Sequence, residues 1–175
     1  MEQDQEPHWY ALKVFYNRVS AVENDLHDEG CLTYFAKKVE EKKVGNHLEY
    51  IEKPIVNSLL FVCCTESFLV DFKRTNDKTF LYYSDLGSGK PASIPPREME
   101  IFKMVTSTKD PGLEYLGEDS PWFHEGDKVR VIDGIYKGAE GYIKRIKADR
   151  RLVVTVSGVA VVATSFIHPS FLVRI

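Results

Sequence analysis

After Pro121 the three-and-four spacing of amphipathic helices is gone and only period two remains. No other feature constrains the fold as much, because a period-two segment has no continuous helical face to bury. Lys128-Val129-Arg130-Val131-Ile132 alternates charged and β-branched residues, and Gly141-Tyr142-Ile143-Lys144-Arg145-Ile146 does the same. Leu152 to Val156 and Ala160 to Thr164 flank a tight turn at Ser157-Gly158-Val159, and Phe171 to Ile175 closes the set. Five short strands separated by glycine turns predict a small all-β barrel. Val, Ile and Thr at period two, interrupted by Gly134, Gly138 and Gly141, predict that this segment stays in strands. Gly134 and Gly138 are read as turn residues that require positive φ, and Gly141 as a point of bend or of close backbone approach.

The half before Ser107 is mixed. His8 to Tyr16 is dense in aromatic and β-branched residues and reads as a strand. Asn17 is placed to cap a helix whose stripe is Val19, Val22 and Leu26, and Gly30 to end it. Cys31 to Phe35 is a short strand. Lys37 to Lys43 is a solvated hairpin arm or loop, and Gly45-Asn46 a hairpin tip. Leu59-Leu60-Phe61-Val62 has the apolar continuity of a central strand. Thr65 caps the next helix, with Phe68, Leu69 and Phe72 as its apolar stripe. Thr79 to Tyr83 and Ala92 to Ile94 are further strands. Pro95-Pro96 opens a helix with Met99, Ile101, Phe102 and Val105 on one side. Ser107 to Pro121 has two prolines, two glycines and four acids and reads as a linker.

Charge changes sign along this order. Residues 1–106 carry 13 Lys/Arg and 17 Asp/Glu, residues 107–123 one and four, and residues 124–175 nine and five. Separate parts with separate partners are the expectation. No apolar stretch approaches the roughly 18 residues of a membrane span. Met1–Pro7 is acidic and lacks the apolar core of a signal peptide.

Chemistry is sparse. No phosphate-binding, nucleophile-elbow or zinc-protease motif is present. Gly87-Ser88-Gly89-Lys90 leads to Pro91 rather than to a helix and is read as a turn. The five histidines lack metal-ligand spacing. Cys31, Cys63 and Cys64 are read as reduced core residues, since neighbours in a strand point to opposite faces. The expectation is a protein that is not an enzyme and holds no cofactor and no metal.

The run from Glu125-Gly126-Asp127-Lys128 through Gly134, Gly138 and Gly141 to Ile146 resembles a KOW motif. Trp9-Tyr10-Ala11-Leu12-Lys13-Val14, then Lys53-Pro54-Ile55-Val56-Asn57-Ser58-Leu59-Leu60-Phe61-Val62, then Ile94-Pro95-Pro96-Arg97-Glu98-Met99, resembles the N-terminal domain of NusG transcription factors. The variant at Asn57 to Val62 is similar to the specialised UpxY-type paralogues that serve polysaccharide operons. The resemblance implies an α+β chain. Residues 1–106 would form an antiparallel sheet with flanking helices, 107–123 a flexible linker, and 124–175 an SH3-like KOW barrel.

The implied function is transcription elongation and antitermination, through binding of the N-terminal domain to the clamp helices of the RNA polymerase β′ subunit. General NusG-type elongation, or RNA or ribosome binding without polymerase contact, are the alternatives. By position, Val56, Leu59 and Phe61 would contact polymerase. Arg18, Lys73 and Arg74 would face non-template DNA. Tyr136, Ala139 and Ser157 would meet the partner of the barrel. For that partner the resemblance offers ribosomal protein S10, termination factor Rho, or nascent RNA. The short turn at Ser157-Gly158 lacks an apolar tip, so Rho binding is expected to be weak or absent. A cytoplasmic monomer with no membrane contact completes the expectation.

Overall fold

A computed structural model describes residues 5–175, so part of the acidic Met1–Pro7 segment lies outside the described residues. In chain order the first elements are β1 (His8–Val14), α1 (Val19–Asp28), β2 (Leu32–Tyr34), β3 (Lys37–Val44), β4 (His47–Pro54) and β5 (Leu59–Cys64). Then come α2 (Glu66–Thr75), β6 (Phe80–Tyr82), α3 (Pro96–Thr106) and β7 (Glu114–Gly117). The last are β8 (Lys128–Val131), β9 (Glu140–Ile146), β10 (Asp149–Val156), β11 (Ala160–Phe166) and β12 (Leu172–Arg174). The fold is α+β, and the chain divides into two compact units. One runs to Phe35 and resumes at Val56–Pro96; the other is Ala36–Ile55 with Arg97–Ile175.

The first unit is an antiparallel sheet in the order β2-β5-β1-β6. Tyr10 pairs with Val62 and Leu12 with Leu60. Strand alternation therefore places Tyr10, Leu12, Val14, Leu60, Val62 and Cys64 on one face. There they form one buried cluster with Val19, Val22 and Leu26 of α1, Leu69 of α2, and Phe80. Phe68, Phe72 and Phe80 stack in series at 5.7 and 5.6 Å between centroids. Cys64 sits in this core, where burial pushes its thiol up to about 12. All three cysteines are free.

Local signals act as read at most helix ends. Thr65 accepts a hydrogen bond from the Phe68 amide at 3.2 Å. Gly30, at φ 80°, closes α1: its amide donates to His27 and the Cys31 amide to Leu26, the paired bonds of a Schellman motif. The N-terminus of α1 differs. Asn17 does not cap it; Asn17 and Tyr16 take positive φ, and Arg18 occupies the cap position with no side-chain bond. Ala92 to Ile94 is also not a strand, since Ile94 makes only a single bridge to Trp9. At the Gly87-Ser88 turn, Asp85 Oδ1 accepts from both amides, at 2.7 and 3.2 Å.

The second unit holds a hairpin, a helix and a six-stranded sheet. Of the two readings, hairpin arm or loop, Lys37–Val44 is the hairpin arm, a full strand paired with β4 from Val44–His47 at the tip to Lys37–Pro54 at the base. The hairpin is fixed by backbone and side-chain bonds to residues 109–113: the Val39 amide to Lys109, Lys38 to the Leu113 carbonyl, and Lys109 to Glu52. The large sheet is antiparallel, in the order β12-β8-β9-β10-β11-β7. All five strands read after Ser107 are present, and β7 is a sixth. Residues 107–123, read as a flexible linker, are thus partly regular. Glu114, Tyr115 and Gly117 pair with β11, and Leu113 and Phe123 are buried. The physical reason is apolar content: Leu113, Leu116 and Phe123 have hydrophobic surface to cover, and Phe123 and Leu116 join a cluster with Val153, Val161 and Ala163.

Candidate partner-binding surfaces

Leu59 and Phe61 lie two residues apart on β5 and share a face. It is the face opposite α1 and α2, since Phe61 pairs with Ala11 and Tyr34, and Leu59 with Lys13. Val56 precedes the strand, where its carbonyl accepts from the Leu59 amide. Exposure separates the three: Val56 is half-buried, Leu59 is 6 % exposed and Phe61 0 %. The apolar character expected of a protein contact is present, but Val56 is the member best placed at the surface.

Arg18, Lys73 and Arg74 divide between two helix ends. Arg18 is exposed at the start of α1. Lys73 donates to the Asp77 carbonyl and stands 5.2 Å from the Phe80 ring, while Arg74 pairs with Asp71 at 3.2 Å. Both cations close α2, where they also complement its dipole. Arg74 lines an open groove of about 690 Å³ whose walls carry Glu66 and Asp71 as well as Lys90. That mixture of signs does not attract phosphate strongly.

Tyr136 and Ser157 bond to the chain that follows α3 and to α3 itself, and Ala139 is buried nearby in sequence. The buried Tyr136 hydroxyl donates to Asp110 Oδ2 at 2.9 Å, and Ser165 donates to the same oxygen at 2.9 Å. Burial, aided by the neighbouring carboxylate, pushes the Tyr136 phenol up to about 12. Ala139 is fully buried. A Cβ on its neighbour Gly138 would stand 3.4 Å from Met104 of α3. Ser157 gives its amide and its hydroxyl to Glu98, at 2.9 and 2.6 Å. Arg97 reaches Glu140 at 3.2 Å, and Arg130 reaches the same carboxylate at 2.8 Å. The Arg130 hydrogen bond, then Arg97, holds the Glu140 carboxyl below the usual carboxylate range. Between α3 and strands β9 and β10 remains a cavity of about 220 Å³. Of the positions expected to meet an outside partner, Tyr136 and Ser157 are thus engaged within the unit by Asp110 and Glu98, and Ala139 is buried.

Along the sequence, the family described as "Transcription termination factor nusG" matches residues 7–103, more than half of the chain. The chain belongs to the NusG family. The solved structure "Domain interaction in Thermotoga maritima NusG" shares its fold, with a TM-score of 0.50 at 16% identity, covering 97% of this chain and 98% of that one. No curated protein sequence matches it significantly. NusG-family membership rests on the N-terminal match; the strands beyond residue 103 enter through the likeness of fold.

Several contact residues escaped the sequence reading. Arg97 and Glu98 stood only as part of a helix start, and Asp110 as one linker acid among four. No periodicity joins Asp110 to Tyr136, or Glu98 to Ser157, because separations of 26 and 59 residues are set by packing alone. No helix is long and apolar enough to cross a membrane among the described residues, and no group of His, Cys, Asp and Glu there has the arrangement of a metal site.

Proposed function

We propose that this NusG-family chain is a transcription elongation factor that binds RNA polymerase through the first half of the chain and opposes premature termination. The observation that carries this reading is the family match across residues 7–103. Nothing in the role requires a bond to be made or broken. Residues 1–106 supply the polymerase contact, centred on Val56 with Leu59 and Phe61 behind it. Because Leu59 and Phe61 are buried, their participation requires that face of the sheet to be uncovered. Arg18 at the free start of α1 is the cation best available for non-template DNA, since Lys73 and Arg74 already have local partners.

Residues 124–175 serve a second partner, and coupling the two is a bivalent function whose strength depends on the connecting segment. Ribosomal protein S10 is the partner proposed for Tyr136, Ala139 and Ser157. It has to replace the bonds that Tyr136 makes to Asp110 and Ser157 to Glu98. The short turn at Ser157-Gly158 favours weak Rho binding, in keeping with antitermination. The Asn57-Ser58-Leu59 sequence supports a specialised role in polysaccharide operons. Nascent-transcript sequencing after deletion tests that role: loss of distal transcripts in a few long operons supports it, and a uniform effect on all genes overturns it. Titration with S10 and with Rho separates the partners, and tight Rho binding contradicts the antitermination reading.

A further inference from the structure

We infer that β12 is the seat of a weak homodimer, in which the β12 strands of two copies of this chain pair antiparallel, edge to edge, about a twofold axis at Val173. The surface lies apart from Tyr136, Ala139 and Ser157 and does not rest on the polymerase-binding reading. Strand parity locates it. Val129 and Val131 of β8 are buried, so Lys128, Arg130 and Ile132 face outward. β12 sets Val173 opposite Arg130, and the ladder extends to either side: the Ile132 amide donates to the Phe171 carbonyl at 2.8 Å and the Ile175 amide to the Lys128 carbonyl at 3.1 Å. Phe171, Val173 and Ile175 therefore share the outward face with Ile132. Ile132, Val173 and Ile175 are 45, 46 and 48 % exposed, and Phe171 is half-buried.

The strand that carries this apolar row also ends the sheet. In the order β12-β8-β9-β10-β11-β7, β12 has a neighbour on one side only among the described residues. Phe171 and Ile175 turn their backbone groups to β8. Backbone direction alternates along an antiparallel strand, so the N–H and C=O groups of Leu172 and Arg174 point away from the sheet. Such an edge is ordinarily blunted by charge, proline or a bulge. The opposite edge is blunted in that way: β7 pairs with β11 through a register shift at Val161/Val162, and its last residue, Gly117, takes φ 110°. β12 instead pairs in unbroken register, and its one charged side chain, Arg174, is paired with Asp127 at 2.9 Å.

These features fit the same edge of a second copy, because the strand is complementary to itself. With Val173 opposite Val173 of the other copy, Leu172 stands opposite Arg174. The N–H and C=O groups that point off the sheet then meet each other across the axis. Phe171 falls opposite Ile175 on the outward face, an aromatic and β-branched pair of the kind that stabilises a ladder. The two apolar rows merge into one strip, flanked by Ile132 of each copy. The charge nearest its centre, Arg130, is already held by Glu140 at 2.8 Å. The exposed apolar surface of one copy is a few hundred Å², short of the roughly 800 Å² per partner of a standard stable interface. Backbone pairing adds to it, and the dimer is one that dissociates on dilution.

The test is sedimentation equilibrium of the full chain over a concentration series. The wild type should be monomeric when dilute and move towards a dimer as concentration rises. Val173→Lys sets two lysines opposite each other and should weaken association at least about tenfold, a loss that high salt partly restores by screening. Val173→Ile should associate as the wild type does. Circular dichroism confirms that the variants are folded. Oxidation with glutathione disulfide reads the register. Directly opposed Cα atoms, about 4.5 Å apart, are within disulfide reach, and diagonal ones, about 7–8 Å apart, are beyond it. Val173→Cys should therefore form a covalent dimer. Arg174→Cys should not, and neither should the wild type, whose own cysteines lie elsewhere. A wild type that stays monomeric up to about 1 mM, the weak end of association, overturns the proposal. So does a folded Val173→Lys chain that dimerises as the wild type does, or a covalent dimer of Arg174→Cys as abundant as that of Val173→Cys. A chain that stays monomeric and takes an extended peptide of another protein along β12 also overturns it.

Discussion

Of the described glycines, Gly141 has the least room: an added Cβ would fall 2.2 Å from the Val153 carbonyl oxygen and 3.2 Å from Leu152. The obstacle is backbone in a paired strand, which cannot turn aside. Gly141→Ala should therefore cost about 3 kcal/mol in urea unfolding, at the upper end of overpacking penalties; a loss under about 0.5 kcal/mol would contradict the close approach. This residue was legible in the sequence, as were the positive φ values of Gly134 and Gly138, at 84° and 93°, because only glycine accommodates them without strain. Asn17 was not. Asparagine serves both as a cap and as a left-handed residue, and the choice between those roles depends on how the chain enters α1. Glu140 shows what charge pairing adds. Its carboxyl is held low by Arg130 and Arg97, so the stability it contributes is present above the ordinary carboxylate range and is lost as pH falls through its folded value. Both arginines are half exposed, and the contribution is under about 1 kcal/mol. Glu140→Gln should flatten part of the acid limb of stability against pH, less so in high salt. An acid limb unchanged by that substitution would show that the pairing contributes nothing.

At the scale of elements, period two identified five strands after Ser107 and period 3.6 identified all three helices. What the spacing did not reveal was β7. Four residues flanked by glycine, proline and acids look like linker, and the strand exists because β11 offers it an edge. Amide exchange measures this directly. The paired amides of residues 114–117 should be protected well beyond those of the turn at Gly87-Ser88, whereas exchange at the rate of an open chain would show that β7 is not formed. Leu113, fully buried at the start of this segment, should cost about 2–4 kcal/mol on truncation to alanine, a penalty that a free linker residue would not show. The hairpin β3–β4 was half legible. Gly45-Asn46 marked its tip, but the charge run of Lys37 to Lys43 left hairpin arm and loop undecided, since every second residue there is solvated whichever face it takes.

For the whole molecule, the family was legible in the sequence because its two patterned stretches stand in order along one chain, and the match over residues 7–103 agrees. The candidate site was legible only as a set of positions. That Val56 is half-buried while Leu59 and Phe61 are buried follows from packing, which covers both faces of β5 but not the residues before it. That Tyr136 and Ser157 are engaged by Asp110 and Glu98 follows from tertiary contacts that no local pattern encodes. The most direct measurement is binding of the full chain to purified RNA polymerase elongation complexes. The wild type should associate, and Val56→Asp, shown by circular dichroism to be folded, should bind at least about tenfold more weakly, a loss of about 1.4 kcal/mol. A wild-type chain with no affinity for the complexes would contradict the account.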